Sequence, residues 1–270
     1  MTEEEPFAEF EFMQNDGYVD PDEEVKYPPV ALSAGVFYDP DGEEYPLPIA
    51  TYGNFVFVQA PPKARKTFFV SLIAAAYLGG KKEYTGLLKG HRGNKKLLHI
   101  DTEQGKWHCS RVFKRVLKMS TATKEDYYTY GLREYGHRDC VLFLKEFLKY
   151  NKNIGMVIID GIADLIGDVN DINQSTELVQ EIMTLSSKYK CAIITVIHSN
   201  YGSEKPTGHL GSFLEKKTEC QIQLEKNTQN DGWTTVKCRR TRNTPFSNMS
   251  FKINKEHYPE IIEDLYDPLA

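Results

Sequence analysis

Short apolar runs and longer amphipathic stretches take turns along the middle of the chain. Residues 54–60 form the first run, through Phe55, Val56, Phe57 and Val58, and Phe68 to Leu78 then carries a dense apolar pattern of helical length, stopped by Gly79 and Gly80. Further runs of strand length lie at 97–100, 155–160 and 191–197, with helical spacing at 105–119, 140–150 and 174–189. Strands alternating with helices predict an α/β fold with a mostly parallel sheet flanked by helices. Each later run ends in polar residues: Asp101, Thr102, Glu103 and Gln104 after the second, Asp160 closing the third, His198, Ser199 and Asn200 after the fourth. The carboxyl ends of parallel strands form the edge where ligands bind, so these groups are expected to meet there.

The pattern changes on either side of this core. Residues 26–53, rich in Pro, Asp and Gly, read as loops and short edge strands, and 201–211 reads as a mobile connection. Residues 220–225 alternate as a strand, Asp231 and Gly232 make a hairpin turn, 233–239 is its partner, and 249–253 adds another strand. Antiparallel strands are thus appended at the C-terminal side. The expected division is an acidic flexible tail at 1–27, one domain at 28–254, and an acidic tail at 255–270.

Composition narrows the class. With 270 residues, 40% hydrophobic and 26% charged, the chain can bury a sizeable core, and no apolar run approaches the ~20 residues of a membrane span. The acidic start, with Glu3, Glu4 and Glu5, is unlike a secretory signal and favours a cytoplasmic location. Five widely spaced cysteines without a C-x-x-C pair argue against a disulfide framework or a zinc site. The net charge of −5 is uneven: acids crowd both ends, whereas Lys237, Arg239, Arg240 and Arg242 cluster late in the chain. Nucleic acid therefore stays a candidate partner, because the local field decides.

The candidate chemistry centres on Ala60, Pro61, Pro62, Lys63, Ala64, Arg65, Lys66 and Thr67, between the first strand and its helix. In the phosphate-binding pattern G-x-x-x-x-G-K-[ST], backbone amides cradle phosphates, the lysine reaches the β/γ-phosphates and the hydroxyl binds Mg2+. Lys66 and Thr67 fit that pattern, while Ala60 and Arg65 stand where the glycines belong. An aspartate ending an apolar strand, as Asp160 does, is what such enzymes use to hold Mg2+ and its water.

This ordered set (degenerate loop, strand with Glu103, strand ending in Asp160, strand ending in His198, late basic-x-Arg) resembles a RecA-like P-loop ATPase over roughly residues 50–254. Within that superfamily it is similar to the RepA-like hexameric replicative helicases of plasmids, phages and mobile elements. The resemblance implies ATP and Mg2+ as cofactors and assigns roles position by position. Glu103 is the base that aligns water, with Asp101 behind it; Thr67 and Asp160 serve the metal, and His198 is the γ-phosphate sensor. Arg240 and Arg242 are arginine fingers offered to a neighbouring subunit's ATP, and the loop 202–212, with Lys205, His209 and Gly211, contacts nucleic acid. It further implies a homo-oligomer, the hexamer being the family's habit, with single-stranded DNA and replication proteins as partners. Two other classes compete: a nucleotide-binding scaffold without turnover, favoured by Ala60 and Arg65, and a small-molecule P-loop kinase, which the antiparallel strands fit poorly.

Overall fold

The computed structural model describes residues 10–11, 13–15, 17–200, 205–227, 230 and 232–262. In chain order the described elements are β1 (Val30–Tyr38), β2 (Glu44–Thr51), β3 (Phe55–Ala60), α1 (Lys66–Tyr77), α2 (Lys82–Thr85), β4 (Leu88–Gly90), β5 (Lys96–Asp101) and α3 (Lys106–Met119). They continue with β6 (Tyr127–Gly131), α4 (His137–Tyr150), β7 (Ile154–Asp160), a 3-10 turn (Ile162–Leu165), α5 (Ile172–Tyr189), β8 (Ala192–His198) and α6 (Gly208–Lys217). The chain then forms β9 (Cys220–Lys226), β10 (Trp233–Thr241), β11 (Met249–Ile253) and β12 (Pro259–Ile262).

One large sheet has the order β12-β11-β10-β9-β3-β8-β7-β5-β6, and a smaller one the order β2-β1-β4. From β9 to β6 neighbouring strands are parallel, whereas β10, β11 and β12 are joined antiparallel. The central strands β3 and β7 are buried at every position, as a sheet covered on both faces requires. Alternation divides their side chains between two cores. Val56 and Val58 of β3 pack with Phe69, Ile73 and Tyr77 of α1 and with Leu32 and Ile49 of the small sheet, while Phe55 and Phe57 join Leu144, Leu148, Ile182 and Leu185 on the other face. Helix α1 is buried almost all round because α3, β1 and β4 cover the side that the large sheet leaves open. Among the described residues no helix is long and apolar enough to cross a membrane.

Several expectations change. The stretch 26–53 folds into two long strands, and Pro46 and Pro48 sit in β2, an edge strand where their missing N–H groups cost no ladder bond. Within the stretch expected to be a tail from 255, Pro259–Ile262 pairs with β11 as a strand of the large sheet. The structure of 1–9 and 263–270 lies outside the described residues. Strand β6, with its run of Tyr127, Tyr128 and Tyr130, was hidden by its polar flanks and, among the described residues, pairs only with β5. Helix α5 starts two residues before the expected 174, where the Asp171 side chain accepts a hydrogen bond from the Gln174 amide. The expected loop 202–212 is helix α6 from Gly208, with Leu210 and Leu214 buried; 201–204 lies outside the described residues. The cysteines are free thiols, four of them buried.

Candidate functional site

Strand β3 ends at Ala60, in register with His198 of β8, and the chain turns through 61–65 into α1. The turn uses left-handed backbone at Lys63 (φ 62°) and Arg65 (φ 63°), the region that favours glycine. Arg65 thus occupies the second glycine position of the motif with a glycine-like backbone, and its Nη1 donates to Oγ1 of Thr234 on β10, 3.2 Å away. The Arg65 side chain does not cap α1, and an uncapped helix start that follows directly on the loop is suited to an anion.

Lys66, only 8% exposed, carries its ammonium to 2.5 Å from Nε2 of His198 and 3.7 Å from Oε1 of Glu103. Glu103 Oε1 lies 3.4 Å from His198 Nε2, which closes a triangle between the ends of three strands. Burial lowers the Lys66 pKa, opposed by the charges of Glu103 and Asp160. The imidazole of His198, and then Lys66, hold Glu103 below the usual carboxylate range against the opposing effect of burial. Asp101 builds the turn that presents Glu103: its carboxylate accepts from the amides of Glu103 and Gln104 (3.1 and 2.8 Å) and from Nε2 of Gln104 (2.7 Å). Thr102 anchors the same turn to the 3-10 turn after β7 by donating to Oδ2 of Asp164 at 2.8 Å.

Asp160, in register with Asp101, is 2% exposed, and neither of its carboxylate oxygens has a hydrogen-bond partner among the described residues. Burial, then the charges of Asp101 and Glu103, push its pKa up to about 7, with Lys66 and Thr67 pulling the other way. Two orphaned carboxylate oxygens close enough to Thr67 to feel its hydroxyl fit a hydrated divalent cation. Among the described residues no group of three or more His, Cys, Asp or Glu could hold a metal by itself. Any Mg2+ here would need phosphate oxygens and water to complete its shell, as phosphoryl-transfer sites do.

The loop opens into a cavity of about 390 Å³ lined by Lys63 to Phe68, Glu103 and His198, and also by His108, Arg111 and Arg115 of α3. On the basic face of α3, Arg115 turns inward: it lies 4.1 Å over the Phe68 ring and donates to Ser71 Oγ at 3.2 Å, and burial followed by the charge of Arg111 lowers its pKa to about 10. Arg111 lies 4.9 Å over Trp107. The i, i+4 spacing of Arg111 and Arg115 marks one helical face, but which neighbour that face meets is set by α1.

Arg240 and Arg242 do not join this cluster. Thr234, which Arg65 touches, is near one end of β10; Arg240 pairs with Gln221 near the other, roughly 20 Å further along the strand. Arg240 Nη2 pairs with Glu215 at 3.2 Å, and Arg242 Nη2 donates to the Lys217 carbonyl at 3.2 Å.

A sequence model of the AAA domain family matches residues 48–204, more than half of the chain. No curated protein matches the chain in sequence. The fold is similar to that in the crystal structure of the RadB recombinase, with a TM-score of 0.54 and 16% identity over 78% of this chain and 92% of that one. At that identity the likeness speaks for the fold, which is RecA-like as the sequence led us to expect. The matched region contains the loop, Glu103, Asp160 and His198, and the chain therefore belongs to the AAA domain family.

Proposed function

We propose that this protein binds ATP with Mg2+ at residues 60–67 and hydrolyses it as an oligomeric motor acting on DNA, akin to the RepA-like replicative helicases. The observation that carries this reading is the convergence of Lys66, Glu103 and His198 within 3.7 Å of one another beside the orphaned carboxylate of Asp160. Phosphoryl transfer needs positioning and charge stabilisation more than covalent help. In this reading the α1 amides and Lys66 hold the phosphates, Glu103 orients the attacking water, and His198 reports the γ-phosphate to the segment beyond β8. Mg2+, held through Thr67 and through water on Asp160, would neutralise charge on the β- and γ-phosphates. Arg240 and Arg242, remote from the loop of their own chain, serve a neighbour's ATP; this requires a head-to-tail assembly, for which a closed hexameric ring is the proposed form. Single-stranded DNA, replication proteins of a mobile element and a cytoplasmic setting complete the proposal.

The test is ATP turnover with and without single-stranded DNA, beside Lys66→Ala and Glu103→Gln. The proposal expects DNA-stimulated turnover in the parent, loss of nucleotide binding in the first variant, and retained binding without turnover in the second. Nucleotide binding with no turnover in the parent at any protein concentration would replace the motor with a nucleotide-binding scaffold.

A further inference from the structure

We infer that a groove along α3 and the free edge of β6, ending beside Glu103, binds one strand of nucleic acid; this rests on the nucleic-acid half of the function proposed above. Two cavities, of about 640 and about 690 Å³, share Arg133 and Tyr135 as their common wall. The larger runs between α3 and β6 and is lined by Lys106, Lys114 and Lys124 as well as Arg133, with Glu134 the acid among them. None of these four cations makes an ion pair among the described residues. In a chain of net charge −5, four unpaired cations facing one groove form a local positive field, suited to a row of phosphates.

The ridge between the cavities supplies the second element of strand recognition. Tyr135 is 61% exposed and its ring stacks on no other ring among the described residues, while its backbone amide is tied to the Leu132 carbonyl at 3.0 Å. An exposed aromatic on an anchored backbone beside a basic groove is a stacking platform for a base. Beyond the ridge, the smaller cavity is walled by Glu103 and Asp164, and the Thr102 to Asp164 hydrogen bond joins that wall to the turn carrying Glu103. Arg133 is the one lysine or arginine among the residues lining this smaller cavity, so the strand's backbone lies over the lysines of the larger one and a base lies at the ridge. Among the described residues no strand pairs with the outer edge of β6, so one side of the groove is open there.

Fluorescence anisotropy of the full chain with labelled oligothymidylate and oligouridylate, between about 50 and 200 mM salt, tests this. Four neutralised phosphates give a slope of log affinity against log salt near −2.8, at roughly 0.7 per contact for single strands. Lys114→Ala with Lys124→Ala should remove about 1.4 from that slope. Tyr135→Ala should weaken binding about tenfold at fixed salt and leave the slope unchanged, while Tyr135→Phe binds as the parent does. All three replacements lie on the surface, and thermal unfolding checks that each variant is folded. Parent-like affinity and slope in both the lysine pair and Tyr135→Ala would overturn the inference, as would undetectable binding of either oligonucleotide by the parent at the lowest salt. Steady-state ATP turnover of the parent, measured in parallel, separates the two proposals: strand binding without turnover overturns the motor alone, and turnover without strand binding overturns the groove alone.

Discussion

The Lys66 ammonium lies 2.5 Å from Nε2 of His198, so the cation that a phosphate would attract is already held by the residue proposed to sense that phosphate. Nucleotide entry must exchange this contact for one to the β/γ-phosphates. His198→Ala frees Lys66, and ATP should then bind several-fold tighter while turnover falls about tenfold or more, since a hydrogen bond to a charged group contributes about 1.5–3 kcal/mol. Nucleotide titration and steady-state turnover check this; weaker binding by the variant would mean that His198 itself holds the nucleotide.

Asp160 gives a pH dependence with a defined sign. Its folded pKa of about 7 lies above the ordinary 3.8, so between those values the folded chain holds a proton that the unfolded chain has lost. Stability therefore falls as pH rises from about 4 to about 7. Asp160→Asn should be more stable than the parent at pH 8, by up to about 4 kcal/mol at ~1.4 kcal/mol for each pH unit between the folded and unfolded values, and nearly equal to it at pH 4. Denaturant unfolding at the two pH values measures the difference, and an equal gain at both would assign it to packing.

Arg65 separates backbone strain from side-chain anchoring. Its φ of 63° disfavours a side chain, while its guanidinium holds Thr234. Arg65→Gly loses the hydrogen bond and relieves the strain; Arg65→Ala loses the bond and keeps the strain. The glycine variant should be the more stable of the two by about 1 kcal/mol, read from thermal unfolding.

Gly161 follows Asp160 with φ 111°, and a Cβ there would collide with Thr102 Oγ1 and come within 3.0 Å of Glu103 Cγ. Gly161→Ala is expected to destabilise by about 1–3 kcal/mol and to lower turnover by displacing Glu103. Gly93 is the control, since it has φ 56° in open space: Gly93→Ala should cost about 1 kcal/mol and leave turnover unchanged.

A site completed by a neighbour predicts complementation. Lys66→Ala and Arg242→Ala, each inactive alone, should recover roughly a quarter of parental turnover when mixed in equal amounts, because a head-to-tail interface can then combine the intact loop of one chain with the intact arginine of the other. Additive, near-zero turnover after mixing would place the arginine outside the reaction.

The local pattern of the chain determined the parallel core. Four apolar runs of strand length, the first three each followed by helical spacing and the last three ended by polar groups, leave few alternatives once apolar residues must be buried and backbone polar groups paired. The same pattern put Lys66, Glu103, Asp160 and His198 at one sheet edge, because the carboxyl ends of parallel strands coincide. Tertiary structure decided what depends on partners distant in sequence. Strand β12 exists because β11 offers it an edge, α6 forms where Leu210 and Leu214 find a buried surface, and Arg115 turns inward because Phe68 and Ser71 lie across from it. The backbone at Arg65 is the sharpest case. Residue type argued against a phosphate cradle, yet the left-handed turn forms, with a side-chain bond to β10 that joins positions 169 residues apart and that no local reading could supply.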